Sequence, residues 1–104
     1  MLTFSITDSA DQQFGSIIES RRVTIRLRWS VTSGRWSFDL AIDDLPVLHG
    51  RRVVTGIDLL APFHFGIGAL FALPTVAGAA PGRDELANGE VRLYQASREE
   101  IAAA

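Results

Sequence analysis

The clearest signal in the chain is a two-residue alternation that runs from Val23 to Ile42. Val23, Ile25, Leu27 and Trp29 alternate with Thr24, Arg26, Arg28 and Ser30. Successive side chains of a β-strand point to opposite faces, so this run predicts a strand with one dry side and one wet side. Trp36, Phe38, Leu40 and Ile42 repeat the pattern against Ser37, Asp39 and Ala41. The intervening stretch, Val31 to Arg35, has hairpin length and contains Gly34, so the two strands are expected to pair antiparallel. That pairing brings Asp39 near Arg26 or Arg28 on the wet face, where an exposed ion pair stabilises by about 0.3 kcal/mol.

Weaker signals flank this hairpin. Leu2, Phe4 and Ile6 alternate with polar neighbours and predict a short strand that the polar cluster Asp8 to Asp11 ends. Phe14 to Glu19 reads as a second strand, and Glu19 to Arg22 as a turn. Asp43-Asp44-Leu45-Pro46 reads as another turn, because Pro46 has no backbone N–H to give a ladder. Val47 to Gly50 reads as a short strand continued by extended chain from Arg51 to Gly56. Ile57 to Phe63 suits either a strand or a loop lying on the core, and Gly66 and Gly68 argue against a long helix after it. Ala69 to Leu73 predicts a buried strand that Pro74 ends. Thr75 to Gly89, rich in Ala, Gly and Pro, predicts a long loop with one helical turn at Asp84 to Ala87.

Glu90 to Gln95 predicts the last strand, with Val91, Leu93 and Gln95 on one side. Ser97 is placed to cap a short helix carrying Glu99 and Glu100 in its first turn, and the alanines at 102–104 are expected to fray. The elements add up to an all-β fold: a small antiparallel β-sandwich or partly open barrel of six to seven short strands, with a short C-terminal helical turn. One domain is expected over residues 1–96, followed by a short helical or frayed tail over 97–104.

Composition bounds this picture without redirecting it. Of 104 residues, 47% are hydrophobic, enough for one core. A chain of this length buries only roughly two-thirds of its unfolded surface, so its stability should be modest unless a partner supplies more burial. The net charge of −2, from 10 basic and 12 acidic residues, lacks the basic excess usual in proteins that bind nucleic acid or membrane surfaces. With no cysteine, disulfides, thiolate metal sites and thiol nucleophiles drop out. No signal peptide is apparent at Met1 to Thr7, and no apolar run reaches the roughly 20 residues of a membrane helix. The expectation is a soluble chain made in a cytoplasm.

The search for chemistry is nearly empty. His49 and His64 lie far apart with no metal-ligand spacing, and Asp43-Asp44 suits a turn better than a paired-carboxylate site. No serine stands in a G-x-S-x-G elbow. Gly66-Ile67-Gly68 lacks the third glycine and the following helix of a dinucleotide-binding loop. Arg21-Arg22, Arg26, Arg28 and Arg51-Arg52 near Trp29 and Trp36 suggest a small barrel that binds single-stranded nucleic acid. Both tryptophans, however, fall in phase with Val, Ile, Leu and Phe, which makes them core anchors and leaves the arginines as a solvated face or a protein contact surface. The segment Asp58 to Phe65 is apolar for a loop, and suits either core packing or a patch that a partner buries.

Taken together, Val23 to Trp29, Gly34 to Leu40, Pro46 to Gly50, Val54 to Leu60 and Val91 to Tyr94 resemble, in order and spacing, the small baseplate plug proteins of contractile-tailed phages. The resemblance runs from Phe14 to Tyr94; the turn Glu19 to Arg22, the Phe63 to Leu73 segment and the Ala-rich end depart from it. It implies a virion protein at the distal end of the tail, near hub and spike, with no reaction and no cofactor. Its partners are then baseplate hub, spike or tail-tube proteins, not nucleic acid or membrane, with self-association inside the assembly left open. The implied location is the tail baseplate, after a period in the host cytoplasm during assembly. Apolar and arginine enrichment, not the resemblance, marks Arg51, Arg52, Leu59, Leu60, Phe63 and Phe65 as candidate partner contacts. The alternative function is the nucleic-acid-binding barrel; a third is an enzyme acting on cell-wall or capsule material, which needs a polar cleft.

Overall fold

In the computed structural model, which describes residues 2–60, 63 and 65–97, the alternating run forms the centre of a four-stranded sheet. In chain order the elements are β1 (Leu2–Phe4), β2 (Asp11–Ile18), β3 (Arg21–Ser30), β4 (Arg35–Ile42), β5 (Leu45–Arg52), β6 (Ala69–Pro74), α1 (Glu85–Asn88) and β7 (Val91–Ala96). One sheet is an antiparallel meander in the order β2-β3-β4-β5; the other has the order β1-β7-β6, also antiparallel. Each sheet keeps two edges, so the fold is an open sandwich and not a barrel.

The alternation predicts which side chains are dry. Ile25, Leu27, Trp36, Phe38 and Leu40 are almost wholly buried. They meet Leu70, Ala72, Val91 and Leu93 from the second sheet in one core, joined by Phe4, Leu59, Leu60 and Ile67. Trp36 and Trp29 pack edge to face with centroids 5.5 Å apart, and the Trp36 indole Nε1–H donates to the Gly82 carbonyl at 2.8 Å. Gln95 follows the phase of Val91 and Leu93 into the core, where its amide donates to the Ile67 carbonyl at 2.7 Å.

Strand boundaries differ from the expectation at both tight turns. The predicted turns at Glu19 to Arg22 and Asp43 to Pro46 shrink to their first two residues. Glu19 and Ser20, and Asp43 and Asp44, all have positive φ, which is the type I′ geometry that matches strand twist. Arg21, Arg22, Leu45 and Pro46 are therefore strand residues. At the other end, β2 begins at Asp11, not Phe14, because Asp11 lies opposite Arg28 and is held by Arg26. The helical turn falls at Glu85–Asn88 and stops at Gly89 in the left-handed region. The helix expected after Ser97 lies outside the described residues.

Three of the four sheet edges are blunted. β1 is only three residues long. β5 carries Pro46, and its register against β4 shifts on either side of Leu40. The outer edge of β6 is covered by the segment 55–60. Gly56 N–H donates to the Ala72 carbonyl at 3.1 Å and Leu59 N–H to the Leu70 carbonyl at 2.7 Å. Asp58 Oδ1 completes the cover by accepting from Leu60 N–H (3.0 Å) and Leu70 N–H (3.1 Å). Of the stretch Ile57 to Phe63, which suited either a strand or a loop, residues 57–60 thus form a strap over a sheet edge.

Candidate partner-contact surface

Arg51 and Arg52 end β5, opposite Phe38 and Ser37 of β4, and both are exposed. The extra residues inserted along β5 and the positive φ of Gly50 turn the end of this strand, bringing Arg51 over the Phe63 ring with its Cζ 5.2 Å from the centroid. A guanidinium on an aromatic face gains from the ring quadrupole. Phe63 in turn stacks on Phe65, with centroids 5.5 Å apart and planes 12° from parallel. The loop is tied down where Phe63 N–H donates to the Leu60 carbonyl at 2.6 Å, and where Arg21 donates to the Phe65 carbonyl. Phe63 stays 39% exposed, while Phe65 is half-buried against the core.

The remaining candidates separate from this group. Leu59 and Leu60 are 5% and 2% exposed and belong to the core, so the apolar segment divides its duties. Its leucines point inward from the strap into the core, Phe63 stays at the surface, and Phe65 lies half-buried between them. Ala61, Pro62 and His64 lie outside the described residues. Ile57 was not among the candidates, yet it is 56% exposed. The left-handed Gly56 before it reverses the chain and turns Ile57 outward. Gly56 was legible as a glycine; the direction of the turn was not. Gly50, Arg51, Arg52, Ile57, Asp58 and Leu59 line an open hollow here.

Charge divides the arginines into two kinds. On the wet face of the four-stranded sheet, Arg26 is held by Asp11 at 2.7 Å and Arg28 by Asp39 at 2.9 Å. At the Asp43-Asp44 turn, Arg21 and Arg22 face carboxylates at 3.7 and 3.1 Å. Among the described residues no carboxylate pairs with Arg51 or Arg52. An arginine without a carboxylate, lying on an exposed phenylalanine beside a hollow that mixes apolar and charged side chains, has the composition of a protein interface.

The features that suggested a nucleic-acid surface are disposed differently. Trp36 is fully buried, and Trp29 is half-buried with its ring packed against Trp36 and the core, so both rings serve as core anchors. Asp43 and Asp44 are turn residues; Asp43 Oδ1 accepts from Arg22 N–H at 3.0 Å. Among the described residues no three His, Asp or Glu side chains converge as a metal site would require.

Compared with known proteins, residues 1–98 match a family model described as cyanophage baseplate Pam3 plug gp18. No curated protein matches the chain.

Proposed function

The chain belongs to the cyanophage baseplate plug family, and from that premise we propose that it is a structural plug or hub component at the distal end of the tail tube, with no reaction of its own. The family gives the chain a structural place in the phage baseplate, and so a setting among other baseplate components. The observation that carries the finer reading is the match itself, since it spans both sheets and the strap between them. The surface just described supplies a means of attachment. A hub, spike or tail-tube protein docks on Arg51, Arg52, Ile57 and Phe63, while Leu59, Leu60 and Phe65 hold that surface in shape from beneath. The chain reaches this place from the host cytoplasm during assembly.

Co-purification with the hub, spike and tail-tube proteins of the same phage tests this reading. The wild-type chain is expected to retain at least one of them. Arg51→Glu together with Phe63→Ser should weaken retention at least tenfold without shifting the melting temperature by more than a degree or two, because both side chains are exposed. A chain that stays monomeric and retains no tail protein would sink the proposal. So would tight binding to single-stranded DNA that falls steeply with salt.

A further inference from the structure

The chain has one asparagine, Asn88, and a glycine follows it. Asn88 is exposed and closes α1, a single helical turn that stops at Gly89 with φ 87°. One turn of helix is marginal by itself, and its last bonds fray. The Asn88 side chain folds forward over the chain that follows, where its Oδ1 accepts from Glu90 N–H at 3.0 Å. That bond closes a small ring of atoms that contains the Gly89 nitrogen. Gly89 has no Cβ to crowd an approach between its nitrogen and the Asn88 side chain.

The electrostatics of the place favour negative charge. A Cβ on Gly89 would lie 3.5 Å from Arg92 Nη2 and 3.6 Å from Nε, so the guanidinium stands against the Gly89 backbone. Among the described residues no carboxylate pairs with Arg92, and its charge is uncommitted. A backbone N–H already on Oδ1 and a cation beside the neighbouring nitrogen are the kind of groups that steady an anion as it develops. Thr3, Ser5, Ile6, Asn88, Gly89 and Arg92 border an open hollow, so water reaches the site.

We propose that Asn88-Gly89 is a self-modifying site, which loses ammonia to form a succinimide and opens with water to aspartate and isoaspartate. Hydroxide takes the Gly89 N–H proton, and the nitrogen's electron pair forms a bond to Asn88 Cγ. The π pair of the Cγ–Oδ1 bond moves onto Oδ1, where Glu90 N–H meets the new charge. As that pair returns, the Cγ–Nδ2 bond breaks and the side-chain nitrogen leaves as ammonia, taking a proton from water and so restoring hydroxide. Water then adds at Cγ or at the main-chain carbonyl carbon of Asn88, and the ring bond from that carbon to the Gly89 nitrogen breaks. Opening at Cγ gives aspartate, and opening at the main-chain carbon gives isoaspartate; nothing is oxidised or reduced. The isoaspartyl form lengthens the backbone between α1 and β7. Two bonds from Thr75 pin that link, its hydroxyl to the Gly89 carbonyl and its N–H to the Glu90 carbonyl at 2.8 Å. Buried Leu86 of α1 depends on the same link, so the longer form loosens the helical turn from the core. This inference does not rest on the baseplate reading.

Incubation of the folded full chain in mildly alkaline buffer tests it, beside a synthetic peptide of residues 84–92. Intact mass follows the change from amide to acid, since no other asparagine contributes, and tandem mass spectrometry of tryptic peptides assigns it to residue 88. The folded chain should convert within about threefold of the peptide's rate. Asn88→Gln, whose ring would need six members, should lose the mass gain over the same period. Arg92→Met, at an exposed position, should slow the folded chain at least threefold and leave the peptide unchanged. The aged chain should melt below both the fresh chain and Asn88→Asp, which has the charge without the longer backbone. A folded chain that keeps its amide after the peptide has converted overturns the inference, as does a mass gain that persists in Asn88→Gln. Equal rates for wild type and Arg92→Met overturn the part given to the fold. Equal melting of aged chain and Asn88→Asp overturns the loosening of α1.

Discussion

Asp39 shows how one carboxylate sets the pairing of its neighbours. By register it lies directly opposite Arg26, yet it binds Arg28 at 2.9 Å, lies 3.2 Å from His49 and accepts from Gly50 N–H at 2.7 Å. Arg26, with Asp39 already occupied, turns to Asp11 across the other strand pair and grips both carboxylate oxygens, at 2.9 and 2.7 Å. Alternation alone puts Asp39 beside Arg26 or Arg28 without choosing between them. The Asp11 contact was not legible, because Asp11 reads as the end of a polar cluster rather than the start of a strand. The hydrogen bonds from Arg26 hold the Asp11 carboxyl below the ordinary carboxylate range. A carboxyl whose folded pKa is depressed stabilises the fold fully above its unfolded value of about 3.9, and that contribution fades as pH falls through the folded value. Urea unfolding of wild type and Asp11→Asn should thus differ by a constant, small amount above about pH 5. The two should converge on further acidification, as the Asp11 carboxyl is protonated in the folded chain too. A gap that widens on acidification would contradict the ion-pair account.

Among the elements, the strands came through the sequence better than the devices that join and cover them. The alternating runs of β3, β4 and β7 announce their dry faces. The two type I′ turns do not announce themselves, since Glu19-Ser20 and Asp43-Asp44 lack the Asn-Gly or Gly residues that usually mark positive φ. Their flanking residues therefore looked like turn, and β5 looked half its length. The strap over β6 was hidden for another reason. Its role depends on Asp58, a single polar residue in an apolar run, which accepts from two backbone donors and so closes an edge that belongs to a strand 12 residues away. Asp58→Ala should leave Leu70 N–H without its partner and cost about 1–3 kcal/mol in chemical denaturation. Asp58→Asn keeps an acceptor oxygen and should cost less than half as much. The same Ala variant should loosen the Arg51–Phe63 surface, which the strap supports, and its loss of partner retention should exceed its loss of stability. Equal effects of Ala and Asn would remove Asp58 from this role.

At the scale of the whole molecule, the shared core is the main tie between the two sheets. Among the described residues, the backbone bonds that link them run through the segment 53–60: Val53 N–H to the Trp36 carbonyl at 3.0 Å on one side, Gly56 N–H to the Ala72 carbonyl at 3.1 Å on the other. Ile25, Leu27, Phe38 and Leu40 can stay dry only while β1, β6 and β7 cover them, and Leu70, Val91 and Leu93 depend equally on the meander. Neither sheet buries its apolar face alone, so the chain should unfold in a single cooperative step despite its two-part architecture. Leu93→Ala in β7 and Leu40→Ala in β4 each empty volume from the same core, and each should cost about 2–5 kcal/mol. The informative quantity is which probe reports the loss. Trp36 lies in the four-stranded sheet, so its fluorescence follows the meander, whereas far-ultraviolet circular dichroism follows all seven strands named above. Coincident transitions in both probes for Leu93→Ala mean that a cavity made in one sheet melts the other with it. If Leu93→Ala instead lost part of its β signal while Trp36 fluorescence held to a higher temperature, the sheets would be separable units and the shared core would not be what binds them.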